Sequence, residues 1–140
     1  MQIPMKVDYG VRALVHLAIY GKETPVRASE IAKTTFIPEA YLAQLLHEFS
    51  KNGVVRSTRG PQGGHLLAMD PSEIKLSLVM ESLGSREQPV PCLEDVSSCV
   101  HFPGCAQREV WQNIAAAVSN ILESTTIKDL ASNTPVTTLV

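Results

Sequence analysis

No apolar run in this chain approaches the ~20 residues that a membrane-spanning helix requires. The opening stretch, Met1-Gln2-Ile3-Pro4-Met5-Lys6, lacks the pattern of a secretory signal. Both absences point to the cytoplasm and to no membrane partner. Neither a Ser-His-Asp constellation nor a pair of carboxylates stands out, and the four histidines, at 16, 47, 65 and 101, are scattered. An enzyme is therefore not the expected reading. Internal repeats and low-complexity segments are also missing. Cysteine is scarce, with three in 140 residues. An odd set closes no disulfide framework, least of all in a reducing compartment.

What is present fits one domain, or a small domain with an appended helix. Hydrophobic content is 44% and charged content 19%, which suits a globular core rather than disorder. The net charge of −2 hides an asymmetry. Residues 1–69 carry eight Lys/Arg and five Asp/Glu, a balance of +3, whereas residues 70–140 carry four and nine, a balance of −5. A basic N-terminal part can approach nucleic acid while the acidic remainder faces away.

Periodicity divides the chain. Val7, Val11, Leu14, Leu17 and Ala18 recur at helical spacing over 6–20, and Gly21 closes the segment. A short helix is expected over 28–34, poorly capped because Arg27 stands where Ser or Thr would serve better. The next helix, 38–51, has Pro38 at its first position and Glu39 near the positive helix end. Tyr41, Leu42, Leu45, Leu46 and Phe49 form its apolar stripe, and Asn52-Gly53 stops it. Residues 54–58 and 65–69 read as strands around the turn Arg59-Gly60-Pro61-Gln62-Gly63-Gly64. Asp70-Pro71-Ser72-Glu73 is a capping pattern ahead of a helix over about 77–83. A long helix over about 106–124 places Val110, Ile114, Ala117 and Ile121 on a heptad-like seam, widened by Trp111, Val118 and Leu122. So apolar a stripe needs a partner surface. Thr126, with Asp129 three residues on, caps a last short helix.

Helix, short helix, turn, helix and hairpin is the order of a winged helix-turn-helix. The expected fold is mainly α with a small β-hairpin: a winged domain over 1–84, a cysteine loop over 85–105, a dimerisation helix with a short helix over 106–131, and a tail over 132–140. In this motif the second helix of the pair enters the major groove of double-stranded DNA. Its candidate contacts are Glu39, Ala40, Ala43, Gln44, His47 and Lys51. Gln44 can read adenine through its amide, and the two alanines permit close approach. In the hairpin the candidates are Arg56, Ser57, Arg59, Gly60, Gln62 and Gly63, and no acid occurs from 49 to 69. A thin, arginine-tipped wing suits the minor groove, whose negative potential attracts Arg. A phosphate-cradling P-loop is the rival for such a glycine-rich turn. It is excluded because the turn lacks the motif's Lys-Ser/Thr pair and joins two strands.

The cysteines, Cys92, Cys99 and Cys105, fall within 14 residues, in a stretch that also holds Pro89, Pro91, Pro103 and Gly104. They read as three thiolates around one centre that lacks a fourth ligand. An iron–sulfur cluster and a Cys3His zinc site, with His101 as the fourth ligand, both fit this donor set. Free thiols acting as a redox switch are a third option, and a small redox or metal-carrier protein a more distant one.

Asp8-Tyr9-Gly10-Val11-Arg12-Ala13-Leu14, Glu30-Ile31-Ala32, Tyr41-Leu42-Ala43-Gln44-Leu45-Leu46, the segment from Lys51 to Gly64 and the three cysteines follow one another in a familiar order. Over about residues 1–131 the chain resembles the winged-helix iron–sulfur transcription regulators that include IscR, NsrR and RirA. The resemblance implies a homodimeric operator-binding protein, a repressor or activator, whose DNA affinity depends on an iron–sulfur cluster. It also implies that Arg59 enters the minor groove and that helix 106–124 pairs with its mate through Val110, Trp111, Ile114, Ala117, Val118 and Ile121. IscR-like members carry a histidine three residues after the last cysteine, where this chain has Arg108. Asp8 matches the acidic ligand that NsrR-like members contribute from the other subunit. A four-iron cluster held by Cys92, Cys99, Cys105 and the partner subunit's Asp8 is thus favoured over a two-iron one, with His101 the weaker fourth candidate.

Overall fold

A computed structural model describes residues 2–85 and 90–135 of the chain. Pro89 of the cysteine loop and residues 136–140 of the tail lie outside the described residues. Among the described residues, six α-helices and one hairpin follow in order: α1 Met5–Tyr20, α2 Ala28–Thr35, α3 Glu39–Lys51, β1 Val55–Thr58, β2 Gly64–Leu67, α4 Leu76–Ser82, α5 Arg108–Ser124 and α6 Ile127–Asn133.

The core forms where the apolar faces of α1, α2, α3 and α4 meet. Leu14 and Leu17 of α1, Ile31 of α2, Leu42, Leu46 and Phe49 of α3, and Val79 of α4 are all fully buried. Each such aliphatic side chain removed from water contributes about 1.5–3 kcal/mol, which outweighs the weak caps of the helices carrying them. Neither α2 nor α3 has a side-chain N-cap bond. The sequence puts Pro38 at the first helical position, but the helix begins at Glu39. Pro38 is the N-cap itself, in an extended conformation with ψ of 130°. Asn52 ends α3 as anticipated, and Gly53 takes the left-handed φ of 73° that such a stop requires.

The helix-turn-helix is α2, the turn Phe36-Ile37-Pro38 and α3. Ile37 anchors the turn in the core, whereas Phe36 is 87% exposed and holds a left-handed φ of 58°. β1 and β2 pair antiparallel, with Val55 opposite Leu67 and Thr58 opposite Gly64. Both strands are shorter than the sequence suggested. Val54 is buried outside the ladder and its carbonyl accepts from the Ala68 amide. A backbone bridge joins Val26 to His65 and ties the hairpin to the segment ahead of α2. The Asp70 pattern caps a single 3-10 turn, Pro71–Glu73, through the Ser72 amide rather than a full helix.

The C-terminal half departs from expectation at its last helix. The last helix was grouped with the dimer helix, but α6 packs on α1, and its Ile127 is fully buried in the winged-domain core. Its capping box forms as anticipated: Thr126 Oγ1 accepts from the Asp129 amide, and the Asp129 carboxylate accepts from the Thr126 amide. The stretch through α4, the cysteine loop and α5 starts and ends at one place. The Leu76 amide donates to Thr125 O at 3.0 Å and the Ile127 amide to Ile74 O at 2.9 Å. Residues on both sides of this stretch are thereby locked together, and Lys75 reaches Glu123 at 3.4 Å beside them.

Candidate nucleic-acid interface and cysteine loop

The buried stripe of α3 fixes which face remains. Leu42, Leu45, Leu46 and Phe49 point inward, so Glu39, Ala40, Ala43, Gln44, His47 and Lys51 lie on the exposed side. Lys51 is held back toward Glu48 at 3.2 Å, an exposed pair of little energetic weight. Tyr41 sits half-buried at the edge of this face. Its ring meets Tyr9 of α1 edge-on, 5.6 Å between centroids. Beside α3 runs a cleft of about 760 Å³ between its Gln44–His47 flank, Lys6 of α1 and the end of α4.

The wing is built by glycine and by two attachments. Gly60 has φ of 106°, and the Gly63 amide donates back to Gly60 O at 2.9 Å, closing the tip. Gly63 is buried, because a Cβ there would lie 2.2 Å from Thr58 O. Its lack of a side chain therefore shapes the tip. Arg56, Ser57, Arg59, Gly60 and Gln62 are exposed. Ser57 Oγ pairs with His65 Nδ1 across the strands at 2.9 Å, and partial burial holds the His65 pKa below its usual value. Arg27 donates a guanidinium hydrogen bond to Pro61 O at the wing tip. In the sequence Arg27 stands out only as a poor cap. Its side chain reaches a residue 34 positions away, which no local pattern signals.

The cysteine loop consists of three short 3-10 turns: Pro91–Leu93, Val96–Ser98 and Phe102–Gly104. Cys92 lies in the first, Cys99 directly follows the second and Cys105 the third. Asp95 caps the middle turn through the Ser97 amide and hydroxyl at 2.9 and 2.7 Å, and these bonds lower its pKa. All three cysteines are free and half-buried. As a donor set, three free thiols suit iron–sulfur or zinc ligation. Their side chains are not gathered, however: among the described residues no three His, Cys, Asp or Glu groups converge on a point that could hold a metal ion. His101 is exposed at the start of the third turn. Asp8 is half-exposed on the first turn of α1, where its carboxylate pairs with Arg12 at 3.0 Å.

Helix α5 has no fully buried residue. It rests on α4 while Trp111, Val118 and Leu122 are half-buried. Val110, Ile114, Ala117 and Ile121 form an exposed seam, with Ile121 62% exposed. The two sets thus differ in burial rather than forming one continuous stripe. Among the described residues, no helix is long and apolar enough to cross a membrane.

The sequence profile of the Rrf2 family, described as iron-dependent transcriptional regulators, matches residues 3–133. The chain is 37% identical over 134 residues to the HTH-type transcriptional regulator CymR of Bacillus subtilis, spanning 96% of this chain and 92% of CymR. Against the HTH-type transcriptional regulator IscR of Serratia proteamaculans it is 31% identical over 133 residues, spanning 95% and 80%. The solved structure of CymR, the global cysteine regulator of B. subtilis, superposes with a TM-score of 0.82 at 36% identity, over 96% of this chain and 99% of that one. With a helix-turn-helix, a wing and a match along nearly its whole length, the chain belongs to the Rrf2 family of winged-helix transcriptional regulators.

Proposed function

We propose that this regulator is a cytoplasmic homodimer that represses transcription by binding operator DNA, and that an iron–sulfur cluster controls its binding. In this reading α3 enters the major groove with Gln44 and the alanine pair at base edges. Arg59 enters the neighbouring minor groove, and Lys51 and Arg56 meet phosphates. The exposed seam Val110–Ile114–Ala117–Ile121 is the surface a second copy would cover, with Trp111 and Val118 at its margin.

The observation that carries the cluster reading is the donor set: three free thiols within 14 residues, in a chain matching a family described as iron-dependent. Cys92, Cys99 and Cys105 are the proposed thiolate ligands. The partner subunit's Asp8 is the preferred fourth ligand, once it leaves Arg12, and His101 the weaker one. A four-iron cluster with one non-thiolate ligand supplies an iron open to oxygen, nitric oxide or loss under iron limitation. The chain's own part is mechanical. Cys105 lies three residues before α5 begins, so holding the three turns together fixes where that helix starts. The position of α5 in turn sets the spacing of the two α3 helices, which decides whether both half-sites can be read.

The experiment is anaerobic purification with absorption and resonance spectra, iron and sulfide analysis, and operator binding by loaded and stripped protein at fixed salt. Cluster-dependent binding, lost in Cys92→Ser and altered spectroscopically in Asp8→Ala, is the expected result. Stoichiometric zinc, or equal affinity of the two forms, overturns it.

A second reading is a cluster-free thiol switch. It is favoured by thiols that are not gathered among the described residues. Iron-free protein whose DNA affinity changes reversibly with peroxide and dithiothreitol would select it.

A further inference from the structure

We infer that Arg27 is a positioning residue for the wing, tying the hairpin tip to the helix-turn-helix so that Arg59 meets DNA at a fixed angle to α3. The inference rests on the DNA-binding reading above. Arg27 occupies the N-cap position of α2, yet its side chain makes no capping bond. Its guanidinium instead spans to Pro61 O, between Gly60 and Gly63 of the tip. A proline has no amide hydrogen, so this carbonyl is the one hydrogen-bonding group its residue offers.

The adjacent residue makes a separate attachment on the second strand, at the residue after Gly64. The Val26 amide donates to His65 O at 3.0 Å, and the His65 amide to Val26 O at 2.7 Å. Gly64 makes that approach possible, since a Cβ there would stand 2.7 Å from Val26 O. Residues 26 and 27 thus grip the hairpin at two points, one on β2 and one on the tip. One attachment would leave a pivot, whereas two set an angle. The hairpin needs this support, because its strands are four residues each and an isolated two-stranded ribbon is barely stable in water. Arg59 lies two residues before Pro61 on the same tip, so the direction of its side chain follows that of the tether.

The test combines amide hydrogen exchange with a double-mutant cycle. In Arg27→Ala the Gly63 amide is expected to exchange faster while the thermal unfolding midpoint stays the same. Unchanged exchange at Gly63 overturns the tether. For binding, the probe is a duplex enriched from a random-sequence library by the wild-type protein. Arg27→Ala should weaken binding roughly tenfold when Arg59 is present and less than about twofold in the Arg59→Ala background, because it acts through that residue. Equal losses in both backgrounds would mean that Arg27 contacts DNA directly, and would overturn the positioning role. If the wild type enriches no duplex, the DNA-binding reading fails, and exchange at Gly63 still decides the tether.

Discussion

Gly10 on α1 lies so close to Phe49 on α3 that a methyl group in its place would sit 2.9 Å from Cζ of the ring and 2.9 Å from Leu83 Cδ1. Phe49 is fully buried and cannot swing away into solvent. Glycine in a helix interior ordinarily costs about 1 kcal/mol against alanine, so Gly10→Ala would stabilise an unconstrained helix. Here overpacking wins. The substitution is expected to destabilise by about 1–3 kcal/mol, read as a lower thermal midpoint with α1 otherwise intact. A midpoint at or above wild type would show that α1 and α3 can part at no cost.

Elements governed by neighbours in sequence were legible beforehand, and those governed by distant contacts were not. Asn52-Gly53 and the Thr126–Asp129 capping box are local chemistry, and both form as expected. The inward stripe of α3 is local periodicity. By contrast, Gly10 reads as a weak point until Phe49 is brought beside it. The docking of α6 on α1 depends on residues more than 100 positions apart, so proximity to α5 in sequence misassigned it. The candidate DNA face was readable because exposure on α3 is the complement of its buried stripe. The cysteine spacing gave the donor types but not their convergence, because the proline- and glycine-punctuated loop has no periodicity to fix it.

His16 sets an acid limit on the fold. It is 2% exposed, packs 4.8 Å from Tyr20 between ring centroids, and neither ring nitrogen has a hydrogen-bond partner. Burial lowers its pKa below the usual 6.5, and the opposing pull of Glu30 is smaller. Below pH 6.5 the unfolded chain therefore takes up a proton that the folded one resists, and stability falls as pH falls. Half-buried His65 adds a slope of the same sign. His16→Leu is expected to flatten the stability curve between about pH 7 and pH 5, leaving the His65 contribution. Denaturant unfolding across that window checks it, and an unchanged slope would clear His16 of the effect.

Two cations of the candidate DNA face should separate by salt. Lys51→Ala removes one phosphate contact, so the slope of log affinity against log salt should drop by about 0.9 with little change in sequence preference. Arg59→Ala should cost more, on the order of 1.5–3 kcal/mol, and should relax preference for narrow-groove A·T sequence beside the α3 site. Identical behaviour of the two variants in titrations at several salt concentrations would count against a groove role for Arg59.

Phe36 is held left-handed with its ring 87% exposed, a conformation asparagine adopts more readily. Phe36→Asn should raise stability by up to about 1 kcal/mol, since the strain goes and no buried surface is lost. Thermal unfolding gives the answer. A fall in the midpoint would mean that the ring holds the helix-turn-helix turn together.

The stretch that runs through α4, the cysteine loop and α5 starts at Leu76 and ends at Thr125, and those two residues are hydrogen-bonded to each other. That stretch is therefore a bucket handle whose two ends are pinned together. A tug on its rim has no loose terminus through which to dissipate. It arrives as torque on the strip Ile74–Leu76, which is bonded to the Thr125–Ile127 segment at the start of α6. For the same reason, a single proteolytic cut in the loop would leave both halves of the chain fastened to one core.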